Sequence, residues 1–277
     1  MHWDSEAARV YSPATLTAAA GEILRMVPRL KQNLADHFGW PFPDHVTIWL
    51  IQDAELFSRM IGRPYFSAFV RPEAGVMAID YTKMGPGSSL LETTLKHELC
   101  HLILHRNIPS HLLPRWLDEG VAQWYSDGFS ELLAGGGKEA LRRAVLSDAI
   151  PLLDEVNAYF GQDASRVMLA YEIGRSVVDH LIRKYGVEGL LGLLAMLSEG
   201  NSLEAAFSTA LGVSPGEFEA EWRKALVKTD AWWVIGSIHF YEILFFMAAV
   251  ITCIGFLRLL VRKKRYADDA ADENTDE

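Results

Sequence analysis

Two histidines, His97 and His101, are separated by four positions in the segment HELCH, and Glu98 directly follows the first. On an α-helix, residues four apart lie on one face about one turn apart, so both imidazoles can reach one metal ion. Glu98 is rotated by about 100° from His97, which places its carboxylate beside that ion. A carboxylate there can accept a proton from water that a zinc ion has acidified. The segment therefore predicts a zinc-dependent hydrolytic site.

A catalytic zinc site needs a third protein ligand and leaves the fourth position to water. Glu119, 18 residues after His101, is the best candidate because a loop with Pro109 and Pro114 returns the chain for a second helix. The adjacent Asp118 is a rival. Successive helical residues point about 100° apart, so only one of these two carboxylates should face the metal.

Two further histidines follow the segment. His105 lies eight residues after His97, which is about 12 Å along a helix axis, whereas Zn–N bonds are about 2 Å long. His105 is therefore expected to be a helix-end residue and not a ligand. His111 lies in the loop between the two prolines and remains an open alternative.

The surrounding sequence predicts the elements that carry these residues. Apolar positions at helical spacing indicate a helix over 14–38, and a second helix over about 89–106 contains HELCH. A strand over 45–52 and a hairpin from 65–71 and 75–81 follow from β-branched and aromatic runs around turn residues. Beyond the helix that begins near Pro114, the Gly-rich segment 133–139 indicates a loop, and the chain reads as helical to about 228.

The apolar run 231–257 contains one carboxylate, Glu242, and precedes the basic cluster RKKR. It predicts a transmembrane helix over 231–261, because about 20 apolar residues span a bilayer. A buried or interfacial hairpin helix is the alternative, because His239 and Glu242 interrupt the run. Residues 262–277, basic then acidic, predict a disordered tail.

The cationic residues after the apolar run predict a single-pass protein whose N-terminal domain is extracytoplasmic. The absence of a recognisable signal peptide argues the other way. The net charge of −10 and the lack of a basic patch in the body of the chain argue against nucleic-acid binding. The two cysteines, Cys100 and Cys253, are expected to be unpaired.

Three stretches together resemble gluzincin metallopeptidases of the bacterial peptidase MA-like group: LKHELCHLILH, LPRWLDEGVAQWYS and the text from YEIGRSVVDHLIRKYG to EWRKAL. The resemblance covers about 45–228. Its most specific part is the pair HExxH and WxxEG. It implies that His97, His101 and Glu119 bind zinc and that Glu98 is the general base and acid.

The resemblance also implies a peptide-binding cleft. The strand GVMAIDY would be the sheet edge that pairs with an extended substrate, and the Tyr171 hydroxyl would point at the oxyanion. Gln123 could orient a metal ligand. Thermolysin-like members have an acid at that position, so the chain departs from the pattern there.

These observations predict an α+β fold: a small antiparallel or mixed sheet packed on the HExxH helix, a mostly helical subdomain and one C-terminal transmembrane helix. The zincin-like metallopeptidase domain would span 1–228, with a sheet part over about 40–106 and a helical part over 107–228. The predicted function is membrane-anchored, zinc-dependent hydrolysis of peptide or protein substrates. The alternatives are a catalytically inactive scaffold that binds zinc or a partner, and an intramembrane protease, which the polar surroundings of HELCH disfavour.

Overall fold

A computed structural model describes residues 1–42, 45–62, 66–85, 89–127, 136–238 and 244–259. The chain divides into two compact units, Met1–Arg223 and Lys224–Glu277. The strands are β1 (His2–Asp4), β2 (Ala8–Tyr11), β3 (Val46–Ile51), β4 (Ala68–Arg71) and β5 (Val76–Asp80). The helices are α1 (Thr17–Phe38), α2 (Ala54–Ile61), α3 (Ser89–Asn107), α4 (Arg115–Tyr125), α5 (Gly136–Leu146), α6 (Leu153–Tyr159), α7 (Ala164–Ser198), α8 (Leu203–Leu211) and α9 (Pro215–Ile238).

The five strands form one mixed sheet in the order β1-β2-β3-β5-β4. β2, β3 and β5 run parallel, while β1 and β4 pair antiparallel at the two ends. The predicted α+β class, the mixed sheet and the β4–β5 hairpin are thus confirmed. The sheet also includes His2–Tyr11, because α1 returns the chain and lets β2 pair in parallel with β3.

The prediction that the strand GVMAIDY forms a sheet edge is wrong. This strand contains β5, which lies between β3 and β4. The edge on this side of the sheet is β4, because β5 pairs with β4 in the hairpin and with β3 in parallel. β4 therefore carries the backbone groups that an added strand would meet on this side.

The predicted helices α1, α3 and α4 are all present in the first unit. The predicted amphipathic helix is α1, which buries Ile23, Val27, Leu30 and Leu34 and ends at Gly39 in the left-handed conformation. Helix α3 matches the predicted HELCH helix and is buried on most of its circumference. Helix α4 begins directly after Pro114, as predicted.

The loop predicted over 133–139 can be compared with the structure only at residues 136–139. Residues 133–135 lie outside the described residues, whereas 136–139 form the first turn of α5. The prediction is therefore wrong for these four residues. The glycines alone did not show that a helix starts among them.

The predicted transmembrane helix is also wrong. Its residues belong in part to α9, which ends at Ile238, and in part to a helical segment over 244–259, while 239–243 and 260–261 lie outside the described residues. Throughout the described part of the chain, no helix combines the length and the apolar character that crossing a bilayer requires. The first half of α9 is rich in charge.

The correction extends to the predictions that depended on that helix. Single-pass membrane localisation, with an extracytoplasmic catalytic domain and a membrane as partner, is not supported. The predicted disordered tail, 262–277, lies outside the described residues.

Candidate metal centre

His97 and His101 lie on consecutive turns of α3, and both are buried. Their Nε2 atoms are 3.1 Å apart, and their rings meet edge to face. Two imidazole nitrogens at this distance need a proton or a cation between them, because their lone pairs otherwise repel each other. The two Nε2 atoms are therefore arranged so that both could ligate one metal ion.

Glu119 reaches the same position from α4. Its Oε2 lies 3.6 Å from His97 Nε2 and 3.4 Å from His101 Nε2. A tetrahedral ion with bonds of about 2.0–2.2 Å has edges of roughly 3.3–3.6 Å between its ligands, which is close to all three separations. The structure thus brings His97, His101 and Glu119 together in a group that can hold a metal ion.

The Glu119 oxygen that faces the histidines is an unsatisfied buried atom. Oε2 has no hydrogen-bond donor among the described residues, and a buried carboxylate oxygen without a partner is costly. Burial raises the pKa of Glu119, but the electrostatic attraction of His101 and His97 outweighs it and brings the pKa to about 2. Glu119 is therefore an anion, and a bound cation would satisfy Oε2.

Asp118 contacts the far side of His101. Its Oδ1 lies 2.8 Å from His101 Nδ1, and its Oδ2 lies 2.9 Å from His105 Nε2. An ionised carboxylate only accepts, so both histidine nitrogens donate to it. Because Asp118 holds the Nδ1 proton of His101, the Nε2 atom is the one that would ligate a metal after losing its own proton.

The pKa values of these residues describe the site without a metal ion, in which His101 is protonated on both ring nitrogens and a bound cation would replace the Nε2 proton. Burial lowers the pKa of His101, but the Asp118 and Glu119 carboxylates raise it well above its usual range. Burial raises the pKa of Asp118, yet His101 and His105 bring it below its usual range. The negative charge that raises the pKa of His101 is also what would attract a cation.

Asp118 and His105 are the residues whose place here was not predicted. Asp118 was considered only as a rival ligand, and His105 only as a helix-end residue. His105 Nδ1 lies 3.3 Å from Ser110 Oγ in the loop between α3 and α4. A chain of hydrogen-bond contacts therefore connects Ser110, His105, Asp118 and His101 in that order. The available signal was the spacing, since His105 lies one turn after His101 and Asp118 directly precedes Glu119.

Glu98 and Tyr171 line a cavity of about 560 Å³ whose walls also include His101 and Glu119. Glu98 is buried, and its place on α3 directs it into this cavity beside His101. Tyr171, on α7, donates its hydroxyl proton to Glu119 Oε1 at 3.2 Å. Tyr171 therefore contacts the carboxylate of the candidate ligand Glu119 in this structure.

Gln123 contacts the backbone of α7. Its Nε2 donates to the Tyr171 carbonyl at 3.0 Å, so this amide connects α4 to α7. The contact to a metal-ligand side chain that the resemblance implied for Gln123 is made instead by Asp118, to His101.

Two glycines allow α4 and α7 to come this close. A Cβ on Gly120 would lie 2.4 Å from the carbonyl oxygen of Gly174, and a Cβ on Gly174 would lie 2.5 Å from that of Trp116. Neither distance is possible without movement of the backbone. The glycines thus let Tyr171 reach Glu119 across the helix pair.

The remaining candidates lie elsewhere. Cys100 is fully buried, and burial raises the pKa of its thiol, as expected for a packing residue. His111 is exposed and is not among the residues that line the cavity. Within the described residues, His97, His101 and Glu119 form the one group of three or more metal-ligating side chains.

A family model described as the peptidase MA superfamily matches residues 52–228, which is more than half of the chain. The chain belongs to the peptidase MA superfamily. The match confirms the peptidase MA part of the resemblance seen in the sequence and spans α3, α4 and α7. No curated protein matches the chain significantly. Membership of the peptidase MA superfamily supports a peptidase activity on peptide or protein substrates.

Proposed function

We propose that this chain is a zinc metallopeptidase that hydrolyses peptide bonds, with His97, His101 and Glu119 as zinc ligands. The observation that carries the proposal is the set of separations of 3.1, 3.4 and 3.6 Å between their facing atoms. Two imidazoles and one carboxylate form a donor set typical of catalytic zinc. When bound, zinc supplies a Lewis acid that polarises a carbonyl and acidifies water.

Glu98 is the proposed general base. Its carboxylate lines the cavity beside the ligands, where it accepts the proton of the attacking water and passes it to the leaving amine. Proton transfer of this kind contributes about 10²- to 10⁴-fold to a rate. Asp118 keeps His101 in the tautomer that a metal needs.

Tyr171 is proposed to donate its hydroxyl proton to the oxyanion when substrate is bound. The same hydroxyl donates to Glu119 in this structure, so it would exchange this acceptor for the oxyanion when substrate binds. A Tyr171→Phe variant then loses kcat by about 10²-fold at saturating zinc, as for other oxyanion donors. Were Tyr171 only a support for Glu119, zinc affinity would fall and kcat would recover at high zinc.

The substrate is proposed to bind as an extended peptide along β4. This strand is the sheet edge, and Ala68, Phe69 and Val70 line the cavity. Backbone groups at a sheet edge pair with an added strand, which provides affinity without strong sequence dependence. β4 therefore takes the position that the resemblance assigned to GVMAIDY.

The test is metal analysis and peptide hydrolysis on the full chain, with casein and a quenched peptide library as substrates. We expect one zinc per chain in the wild type and in Glu98→Gln, and none in His97→Ala. Glu98→Gln should lose at least 10²-fold in kcat, while Glu92→Gln, on the same helix but paired to Arg29 on the surface, should not. Equal zinc in wild type and His97→Ala, or full activity in Glu98→Gln, would contradict the proposal.

A further inference from the structure

Arg115 is the one arginine or lysine among the described residues that line the metal-site cavity. It is the first residue of α4, one turn before Glu119, and side chains at this spacing start about 5–6 Å apart. A group bound by Arg115 would therefore lie within a residue or two of the metal position.

The Arg115 side chain is exposed, and its guanidinium lies over an aromatic ring. Its central carbon lies 4.8 Å from the ring centroid of Phe160, which is buried, and Phe160 packs edge to face on Tyr171. A guanidinium over a ring at this distance is attracted to the ring's π-electrons and can still use its N–H donors for a ligand. Such an arginine can bind a carboxylate through two parallel hydrogen bonds.

No carboxylate among the described residues pairs with Arg115. The two nearest acids on its own helix are engaged elsewhere, Asp118 with His101 and His105, and Glu119 with the metal group. Glu73 and Glu98 also line the cavity, but neither forms an ion pair with Arg115. Within the described residues, the cavity therefore contains one arginine that is not neutralised by a protein carboxylate.

Arg166 is a second arginine that lies over an aromatic ring and serves as a comparison for Arg115. It lies over the Tyr159 ring at 5.5 Å, but it pairs with Asp163 and is absent from the cavity. Arg115 differs in both respects. Stacking alone therefore does not account for its position.

We propose that Arg115 is a carboxylate-binding subsite of the metal cavity, so that the preferred substrates carry a carboxylate close to the scissile bond. The carboxylate belongs either to an acidic side chain or to a free C-terminus. This inference rests on the proposed function, since it names the substrate class of the same site.

The experiment uses the zinc-loaded full chain and a peptide library from a proteome digest, with cleavage sites mapped by mass spectrometry. Matched peptides then carry Glu or Gln at the enriched position, and a free or amidated C-terminus. We expect wild type to favour the carboxylate in one pair by about 10- to 100-fold in kcat/KM, as for hydrogen bonds to charged groups. A preference for Glu over Gln identifies a side-chain carboxylate as the bound group. A preference for the free over the amidated peptide identifies the C-terminus.

The preference should vanish in Arg115→Gln and persist in the matched control Arg166→Gln. Arg115→Lys should keep only part of it, because an ammonium cannot bind in the planar bidentate mode. An equal preference in wild type and Arg115→Gln overturns the subsite and leaves the peptidase proposal intact. If wild type cuts no peptide, the peptidase proposal fails, and binding of the same peptide pairs to wild type and Arg115→Gln decides the subsite.

Discussion

His101 is contacted on both ring nitrogens. Asp118 accepts the proton of Nδ1, while Nε2 faces His97 and Glu119 across the metal position. Asp118 in turn accepts from His105, which fixes the orientation of its carboxylate. A ligand held in this way loses little freedom when a cation binds, so Asp118 and His105 are expected to strengthen metal binding without touching the ion.

An Asp118→Asn variant should bind zinc about 10- to 100-fold more weakly. The amide is uncharged and has only one acceptor oxygen, so it cannot accept a hydrogen bond from both histidines as the carboxylate does. His105→Gln should have a smaller effect, since it removes only the outer contact. Competition with a chromophoric chelator measures both. An unchanged zinc affinity in Asp118→Asn would show that His101 does not depend on this contact.

The two cysteines should differ in reactivity. Cys100 is buried and its thiol has a raised pKa, whereas Cys253 is exposed. A thiol reagent at pH 8 should therefore modify one cysteine per native chain, and two in denaturant, because only the accessible thiolate reacts. Cys253→Ser should remove the fast phase; two fast thiols in the native wild type would contradict the burial of Cys100.

At the scale of elements, the contact between α4 and α7 decides where Glu119 and Tyr171 meet. Gly120 and Gly174 face each other there, with no space for a methyl group on either. Gln123 adds a hydrogen bond between the same two helices. The position of Glu119 therefore depends on a backbone contact as well as on the sequence around the ligand itself.

Gly120→Ala should destabilise the protein by about 1–3 kcal/mol, since overpacking forces the helices apart. It should also weaken zinc binding, because Glu119 moves with α4. Urea unfolding and chelator competition measure the two effects. Gly216→Ala is the matched control: this helical glycine has nothing near its missing Cβ, so alanine there should be neutral or stabilising by up to about 1 kcal/mol. A Gly120→Ala protein as stable as wild type would contradict the close contact.

At the scale of the whole molecule, the candidate metal group connects α3 to α4 within the first unit. His97 and His101 come from α3, which packs against α1 and β4, and Glu119 comes from α4, which packs on α7. An ion held by all three would stabilise the sheet part against the helical part. Metal binding and folding should therefore be coupled.

Removal of zinc should lower the thermal stability. A ligand that binds only the folded state at 100 times its Kd adds about 2.7 kcal/mol, and calorimetry with and without chelator detects such a change. His97→Ala should show no dependence on zinc, whereas Glu98→Gln should keep it. Equal melting temperatures of the wild type with and without zinc would argue against a shared ion.

Much of the site was predictable from local patterns. The four-residue spacing of His97 and His101 determines that they share a face of α3, and Pro114 determines where α4 begins. The β4–β5 hairpin follows from alternating residues around a turn. These features depend on residues within one or two turns of each other, so the sequence by itself determined them.

Tertiary structure decided what depends on distant partners. The parallel pairing of β2 with β3, the choice of β4 as the edge and the attachment of Asp118 to His101 each require two segments to meet. The predicted transmembrane helix was wrong for a related reason: hydropathy counts apolar residues but does not show that the start of the run continues the charged helix α9. Periodicity is a local property of a chain, whereas edges, contacts and crossings exist only after the elements have packed.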